Sequence, residues 1–432
     1  MTKARIAVSL VALMGSVGVW AEGQNGLGGS LRILSEETDN ALKNSVDEFS
    51  ERQDVISANA VAIYENDLVA LDANYSISNR RYAKDSQAER TSTLGNTELR
   101  LGKDHNLFEL LMSHSIQKVL ASAELVDLEE NNDERQILTA QPMLHTSRDS
   151  ANVLFVQGDL TDIDYRFEEE RNSSRKGGSA GWQRALSSVD KLILAATHTD
   201  VEFDLAPQAN YQMQTATLSY GAKLRQLSYL IELGQSRTES DAGVDQSKPY
   251  YSGQLNFDTG YNQYMLSASQ KISDSSYGVG ARGIDDSGEP PTDSGSRNQE
   301  QMLVRLAEAS WTTTLLCDRC RVSTQLYGNE REYLGVKREE RSIGASIGLS
   351  YRLSNASTIG IKANRREQTF LQVVAEDRDD FTLDSINMYY NYQFANSLSA
   401  RLLLSQEEQT SEDLTREYNE FRAGISLAYT FK

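Results

Sequence analysis

Histidine and cysteine are the scarcest reactive side chains in this 432-residue sequence, four and two respectively, and their surroundings limit what they could do. His198, Asp200, Glu202 and Asp204 alternate along one segment, so on an extended strand they share a face with Leu194 and Ala196. A histidine aligned with three carboxylates has the donors for a metal ion or a proton relay, or for a hydrolase of the acidic-histidine kind. The same spacing describes a charged stripe in a barrel lumen, and the stripe is read as lumen-lining. Ser113, His114 and Ser115 set a nucleophile beside a base, but adjacent strand residues point to opposite faces, which leaves ester hydrolysis without its geometry. His114 falls in register with Phe108, Leu110, Met112 and Ile116, which aims it at lipid or the membrane interface. Cys317 and Cys320 are expected to close a turn as a disulfide in an oxidising compartment. A thioredoxin-like redox pair would need a βαβ setting, and a zinc site two further soft ligands; the sequence offers neither. No catalytic, cofactor-binding or metal-binding set emerges, so the expectation is a protein that is not an enzyme and holds no cofactor.

Such residues need elements to hold them, and composition narrows the choice. The chain is 39% hydrophobic and 24% charged, with a net charge of −19. A mean hydropathy of −0.51 and the lack of a second long apolar run exclude a helical membrane protein, whose spans need about 20 apolar residues each. An acidic chain without a basic stripe is not a nucleic-acid binder. At the N-terminus Lys3 and Arg5 precede an apolar run from Ile6 to Trp20, and Val19-Trp20-Ala21 supplies a small-residue cleavage site. Residues 1–21 are therefore expected to be a cleaved signal peptide, 22–30 a short flexible segment, and 31–432 the folded domain.

The remainder alternates apolar and polar residues with period two. Phe421, Ala423, Ile425, Leu427, Tyr429 and Phe431 oppose Arg422, Gly424, Ser426, Ala428 and Thr430; Val69 to Ser78 and Ile343 to Leu353 repeat the pattern. Short turns, for example at Glu65 to Asp67, Leu224 to Gln226 and Cys317 to Cys320, alternate with longer polar connections such as Lys118 to Asp133 and Ser273 to Asn298. Lipid satisfies no backbone hydrogen bonds, so such a sheet must close on itself. The expected fold is all-β: a closed antiparallel transmembrane β-barrel of about 20 strands (about 18–22) in the outer membrane of a Gram-negative bacterium. Tyrosines such as Tyr250, Tyr251, Tyr261, Tyr264, Tyr389, Tyr390, Tyr392 and Tyr429 are read as interfacial girdles. With no domain ahead of the first strand, any plug must come from the long connections, and Ser273 to Asn298 is the leading candidate. Acidic clusters at Glu124 to Glu134, Glu168 to Glu170, Asp285-Asp286, Glu376 to Asp380 and Glu407-Glu408 suit solvation, or divalent cations shared with lipopolysaccharide phosphates. Arg80, Arg100, Arg166, Arg184, Arg225, Arg305, Arg352 and Arg401 recur through the strands; as interior residues they would set a transverse field across the lumen with inward acids, and as membrane-edge residues they would snorkel.

Gly424, Leu427, Tyr429 and Phe431 resemble the terminal signature read by the bacterial barrel-assembly machinery, followed here by Lys432. Thr38, Asp39 and Asn40 after Glu37, then Leu68 to Tyr82 and Leu107 to Leu111 with Ser113 to Gln117, resemble the outer-membrane β-barrel family associated with PEP-CTERM/exosortase systems. That resemblance covers residues 31 to 120. It implies a non-enzymatic pore or export component linked to exopolysaccharide, with outer-membrane lipid, lipopolysaccharide, the assembly machinery and exopolysaccharide or periplasmic export proteins as partners, and it brings no catalytic residues. The cysteine pair also resembles that of barrels sheathing multihaem conduits, which sets a scaffold or sheath gripping a threaded or periplasmic partner beside the export reading.

Overall fold

The computed structural model describes residues 25–102, 106–123, 125–147, 150–241, 243, 245–278, 299–336, 338–371 and 380–431. Residues 1–21, expected to be a signal peptide, Asp285-Asp286, and Glu376 to Asp379 lie outside the described residues.

Twenty strands follow one another: β1 (Gly26–Thr38), β2 (Glu51–Glu65), β3 (Val69–Tyr82), β4 (Arg90–Leu101), β5 (Phe108–Leu120), β6 (Asn132–His145), β7 (Asn152–Tyr165), β8 (Ser173–Ala185), β9 (Asp190–Phe203) and β10 (Tyr211–Lys223). The second half comprises β11 (Leu227–Ser240), β12 (Gln246–Asp258), β13 (Asn262–Asp274), β14 (Gln301–Thr313), β15 (Cys320–Tyr333), β16 (Arg338–Arg352), β17 (Ser357–Leu371), β18 (Phe381–Gln393), β19 (Leu398–Ser411) and β20 (Tyr418–Phe431). Every strand pairs antiparallel with its sequence neighbours, and β1 pairs with β20 from Gly29↔Phe431 to Thr38↔Arg422. The sheet therefore closes and leaves no edge, which is the condition for β-structure in lipid.

The two faces differ as the alternation demands. Leu31, Ile33, Leu154, Val156, Leu233, Leu326, Ile347, Leu402 and Ile425 point outward and are exposed, while Ser236, Thr238, Ser385 and Ser426 point inward. This inversion of a soluble protein, apolar out and polar in, is what a lipid-facing belt around a wet lumen requires. At the foot of the belt Phe257, Tyr264 and Trp311 stack side by side across β12, β13 and β14, with centroids 6.0 and 6.5 Å apart, and the Trp311 indole donates to Asn262. Two of the expected girdle tyrosines face the other way. Tyr250 and Tyr389 lie on inward faces, and the Tyr250 hydroxyl donates to Glu232.

Connections alternate between a turn end and a loop end. The turn end carries tight links such as 66–68, 224–226 and 353–356; the loop end carries 39–50, 121–131, 166–172 and the long connection after Asp274. Both termini of the barrel lie at the turn end, which in bacterial barrels faces the periplasm. Cys317 and Cys320 form a disulfide in the turn between β14 and β15, with Cα atoms 5.2 Å apart and the Cys320 amide donating to the Cys317 carbonyl.

One boundary is corrected. Residues 26–30, expected to be part of a flexible segment, belong to β1 and pair with Ile63 to Asn59 of β2. Glycine suggested freedom, but it is needed for close approach: a Cβ at Gly29 would come within 2.6 Å of the Phe431 ring and 2.8 Å of the Asn59 carbonyl.

Candidate functional site

Thr38, Asp39 and Asn40 sit at the seam of the barrel. Thr38 is buried and its hydroxyl donates to Glu420 at 2.7 Å. The Asp39 amide donates to the Phe421 carbonyl at 3.2 Å, and the Phe421 amide returns a bond to the Asp39 carboxylate at 2.7 Å. Asn40, fully buried, donates to the Asn419 and Asn44 carbonyls. Three consecutive polar side chains thus lace the top of the first strand to the last one. Gly424 lies inward at the same seam, where a Cβ would come within 2.9 Å of Glu36, whereas Leu427, Tyr429 and Phe431 face lipid.

Above this seam the lumen is filled. Lys43, on the connection 39–50, reaches Glu407 of β19 at 2.5 Å and Glu420 of β20 at 3.8 Å, and Arg422 lies within 3.9 Å of both acids. Lys43 holds a left-handed backbone, φ 51°, a conformation that costs an L side chain energy and that the buried ion pairs offset. The connection 121–131 crosses the barrel: Ala123 and Val126 pack against Phe370 of β17, Phe381 and Leu383 of β18, and Tyr418 of β20. Asp127 on this loop accepts from Lys118 and Asn132 at 3.0 and 2.6 Å. Burial disfavours its carboxylate, but Lys118, Lys43 and the Asn132 amide prevail and hold it well below the usual carboxylate range. Burial likewise opposes the charge on Lys43, yet Glu407, Tyr418 and Glu420 push its ammonium well above the ordinary lysine value. Gln87 ties the two loops together, donating to the Ala41 carbonyl and accepting from the Glu129 amide.

A second set of contacts closes the opposite side. Asp274, fully buried at the end of β13, accepts from Arg175 of β8 and Tyr211 of β10, both at 2.6 Å, and caps Ser276 and Tyr277. Tyr277 then packs on Val119, Ile137, Ile163 and Tyr165. The start of the connection expected to form a plug does turn inward, through 275–278; its residues 279–298 lie outside the described residues. The connection 121–131, one of the long connections, contributes to the cover as well. Its signal was present in the apolar Leu125, Val126 and Leu128 within an acid-rich run. Arg171 and Glu170 join the two halves through the Ala121 carbonyl and Gln299.

Below this cover the lumen wall is polar, with acids gathered on one arc and cations on another. Asp72, Glu98, Glu109 and Asp159 occupy the inward faces of β3, β4, β5 and β7, accompanied by Arg100, which pairs with Glu98 and Glu109 at 3.3 and 3.4 Å. Across the ring, Arg321, Arg352, Lys362 and Arg401 lie on the inward faces of β15, β16, β17 and β19. Among the described residues, these faces and that of β18 carry no acid between the turn end and Glu340 or Glu407. Of the arginines expected inside, Arg80, Arg100, Arg352 and Arg401 face inward; Arg184 and Arg305 lie on the outward faces of β8 and β14, and Arg166 and Arg225 lie in connections, so for these four the interior reading is corrected.

The stripe of His198, Asp200, Glu202 and Asp204 is corrected. It shares a face with Leu194, 52% exposed, and that face is the lipid side; the inward residues of β9 are Thr199, Val201 and Phe203, all buried. His198 and Asp200 are 3.5 Å apart and about half exposed, Glu202 pairs with Lys176 of β8, and Asp204 lies past the strand end. The stripe rises on the outer wall above the lipid belt because a period of two carries Leu194 and His198 to the same side. His114 is outward as expected. Its Nδ1 lies 2.5 Å from the Tyr75 hydroxyl, which also accepts from Thr97, and among the described residues no serine bonds to it.

The closed ring, the apolar outer belt and the polar, loop-capped lumen define a transmembrane β-barrel of the Gram-negative outer membrane. No protein-family model and no curated protein matches the sequence. Solved structures with a similar barrel include OmpT of Vibrio cholerae, an outer membrane protein, at 10% identity over 96% of this chain and 100% of that one, with a TM-score of 0.36. The siderophore receptor PirA from Pseudomonas aeruginosa shares 11% identity over 95% of this chain and 81% of its own, TM-score 0.42. The FrpB iron transporter from Neisseria meningitidis shares 9% over 94% and 82%, TM-score 0.43. The likeness is one of barrel form.

Proposed function

We propose that this chain is a non-enzymatic conduit of the outer membrane, through which a hydrophilic solute or polymer passes when the loop end opens, and that it serves extracellular polysaccharide export. The observation that carries the conduit is the lumen itself: barrels of 16–18 strands already leave an aqueous channel, and twenty strands enclose more room than their own side chains fill. Charged walls of opposite sign suit polar cargo, and the cover rests on loops, which can move while the ring stays closed. The polysaccharide link rests on the resemblance of residues 31–120. Proteoliposomes loaded with labelled exopolysaccharide fragments test it. Release that depends on the barrel, with fragment length unchanged, supports a conduit without hydrolysis. Retention by a correctly folded barrel with its cover loops shortened contradicts it.

The filled loop end favours a second reading. A barrel open only toward the periplasm could grip a periplasmic partner instead of passing cargo. Solute exclusion by the loop-shortened barrel, combined with stable capture of a periplasmic protein at the turn end, would support that scaffold.

A further inference from the structure

We infer that the wall formed by β15 to β19 is a binding track for an acidic oligosaccharide, which names the cargo class of the conduit and rests on that reading. Four features of the wall converge on this ligand. Its cations are distributed, one each on β15, β16, β17 and β19, instead of converging on a point. Strands lie about 4.8 Å apart, so the row from Arg321 to Arg401 extends over about 19 Å, too long for one inorganic anion or one sugar ring and suited to a chain with repeating charge.

Two tyrosines are laid against the same wall. A Cβ at Gly344 would collide with the Tyr327 ring and one at Gly360 with the Tyr389 ring, so each ring lies over the glycine of the adjoining strand. A ring held flat on a lumen wall offers its face to the C–H surface of a sugar. The Arg401 guanidinium lies 4.5 Å from the Tyr389 centroid, which holds this planar cation in place for bidentate pairing with a carboxylate. Between these groups the wall carries amides, Asn387 and Asn391 on β18 and Asn364 on β17, whose donors and acceptors match sugar hydroxyls. The acids of β3 to β7 repel the same ligand, and Glu308 on the inward face of β14, which accepts from Gln325 beside Tyr327, bounds the track at β15.

Calorimetric titration of the detergent-folded full barrel with hexagalacturonate, maltohexaose, monomeric galacturonate, inorganic phosphate and oligoglutamate tests the assignment. Hexagalacturonate is expected to bind at least tenfold more tightly than each of the others. Arg401→Gln and Lys362→Gln should each weaken it at least fivefold, and Tyr327→Ala should weaken both hexasaccharides. Asp384→Asn, on the outward face of β18, should change nothing. Heat-modifiable migration on gels verifies that every variant is folded. Equal affinity for maltohexaose, phosphate or monomer overturns the track, equal affinity for oligoglutamate overturns the sugar class, and unchanged binding in the Arg401 and Lys362 variants overturns the site. Selective binding by a barrel that passes no solute would refute the conduit and keep the track; conduction without selective binding would do the reverse.

Discussion

Replacing Lys43 with methionine should unlock the loop end without opening the barrel wall. Lys43 is 9% exposed and bridges two acids, Glu407 and Glu420, each 3% exposed. Removing one partner of a buried ion pair costs about 3–5 kcal/mol, because the remaining charge stays desolvated. Arg422 lies within 3.9 Å of both acids and shields them, which favours the lower figure. About 3 kcal/mol shifts a two-state equilibrium on the order of a hundredfold. The strands carry the ring's hydrogen bonds and the lysine sits on a loop, so the shift should appear as loop release. Amide hydrogen exchange should rise by about that factor in 39–50 and stay unchanged in β1, β19 and β20 below Glu407. Removing the stranded charge as well, in Lys43→Met with Glu407→Gln, should restore most of the protection. Protection of 39–50 that is unaffected in the single variant would refute the reasoning, as would equal loss in the single and double variants.

Asn40→Ala should loosen the seam, since two backbone carbonyls lose their donor; a cost of about 1–3 kcal/mol is expected, read as faster exchange at the Phe421 amide with β9 and β10 unaffected. Cys317→Ser should lower the temperature of the heat-modifiable transition only modestly, because so short a loop gains no more than about 2 kcal/mol, and the barrel should still assemble. Closure should be insensitive to pH across the neutral range. The raised pKa of Lys43 contributes stability that is complete below the ordinary lysine value of 10.5 and fades as pH rises above it toward the folded value. The lowered pKa of Asp127 contributes stability that is complete above the ordinary value of 3.8 and fades as pH falls toward the folded one. Proteolytic susceptibility of 39–50 and 121–131 should therefore be flat from about pH 5 to 9, and a sharp step inside that window would contradict the assignment.

The barrel could be read from the sequence because both of its signals are local. Period two survives in every strand, and connection lengths alternate, so a tally of short and long links yields the strand number and the side on which the termini lie. Direction was also legible wherever a stripe contains large apolar residues. The outward course of His198 and Asp200 was already encoded by Leu194 on their face, and charge alone had suggested the lumen. Gly26 to Ser30 misled for the opposite reason: glycine signals both freedom and close approach, and only the Phe431 ring across the seam distinguishes them. The closure could not be read, because Lys43 meets Glu407 and Val126 meets Tyr418 across hundreds of residues of chain, and nothing local specifies those partners. The seam role of Thr38, Asp39 and Asn40 belongs to the same class, since it requires knowing that the first and last strands are neighbours.

Single-channel conductance in a planar bilayer tests the central claim most directly, comparing the whole protein with a variant in which connections 39–50 and 121–131 are both shortened to tight turns. A polar lumen capped by loops predicts a whole protein that is mostly closed and a variant that conducts steadily, both with heat-modifiable migration. A folded variant that stays silent would contradict a lumen closed only by its loops, and equal steady conductance in both proteins would contradict the closure.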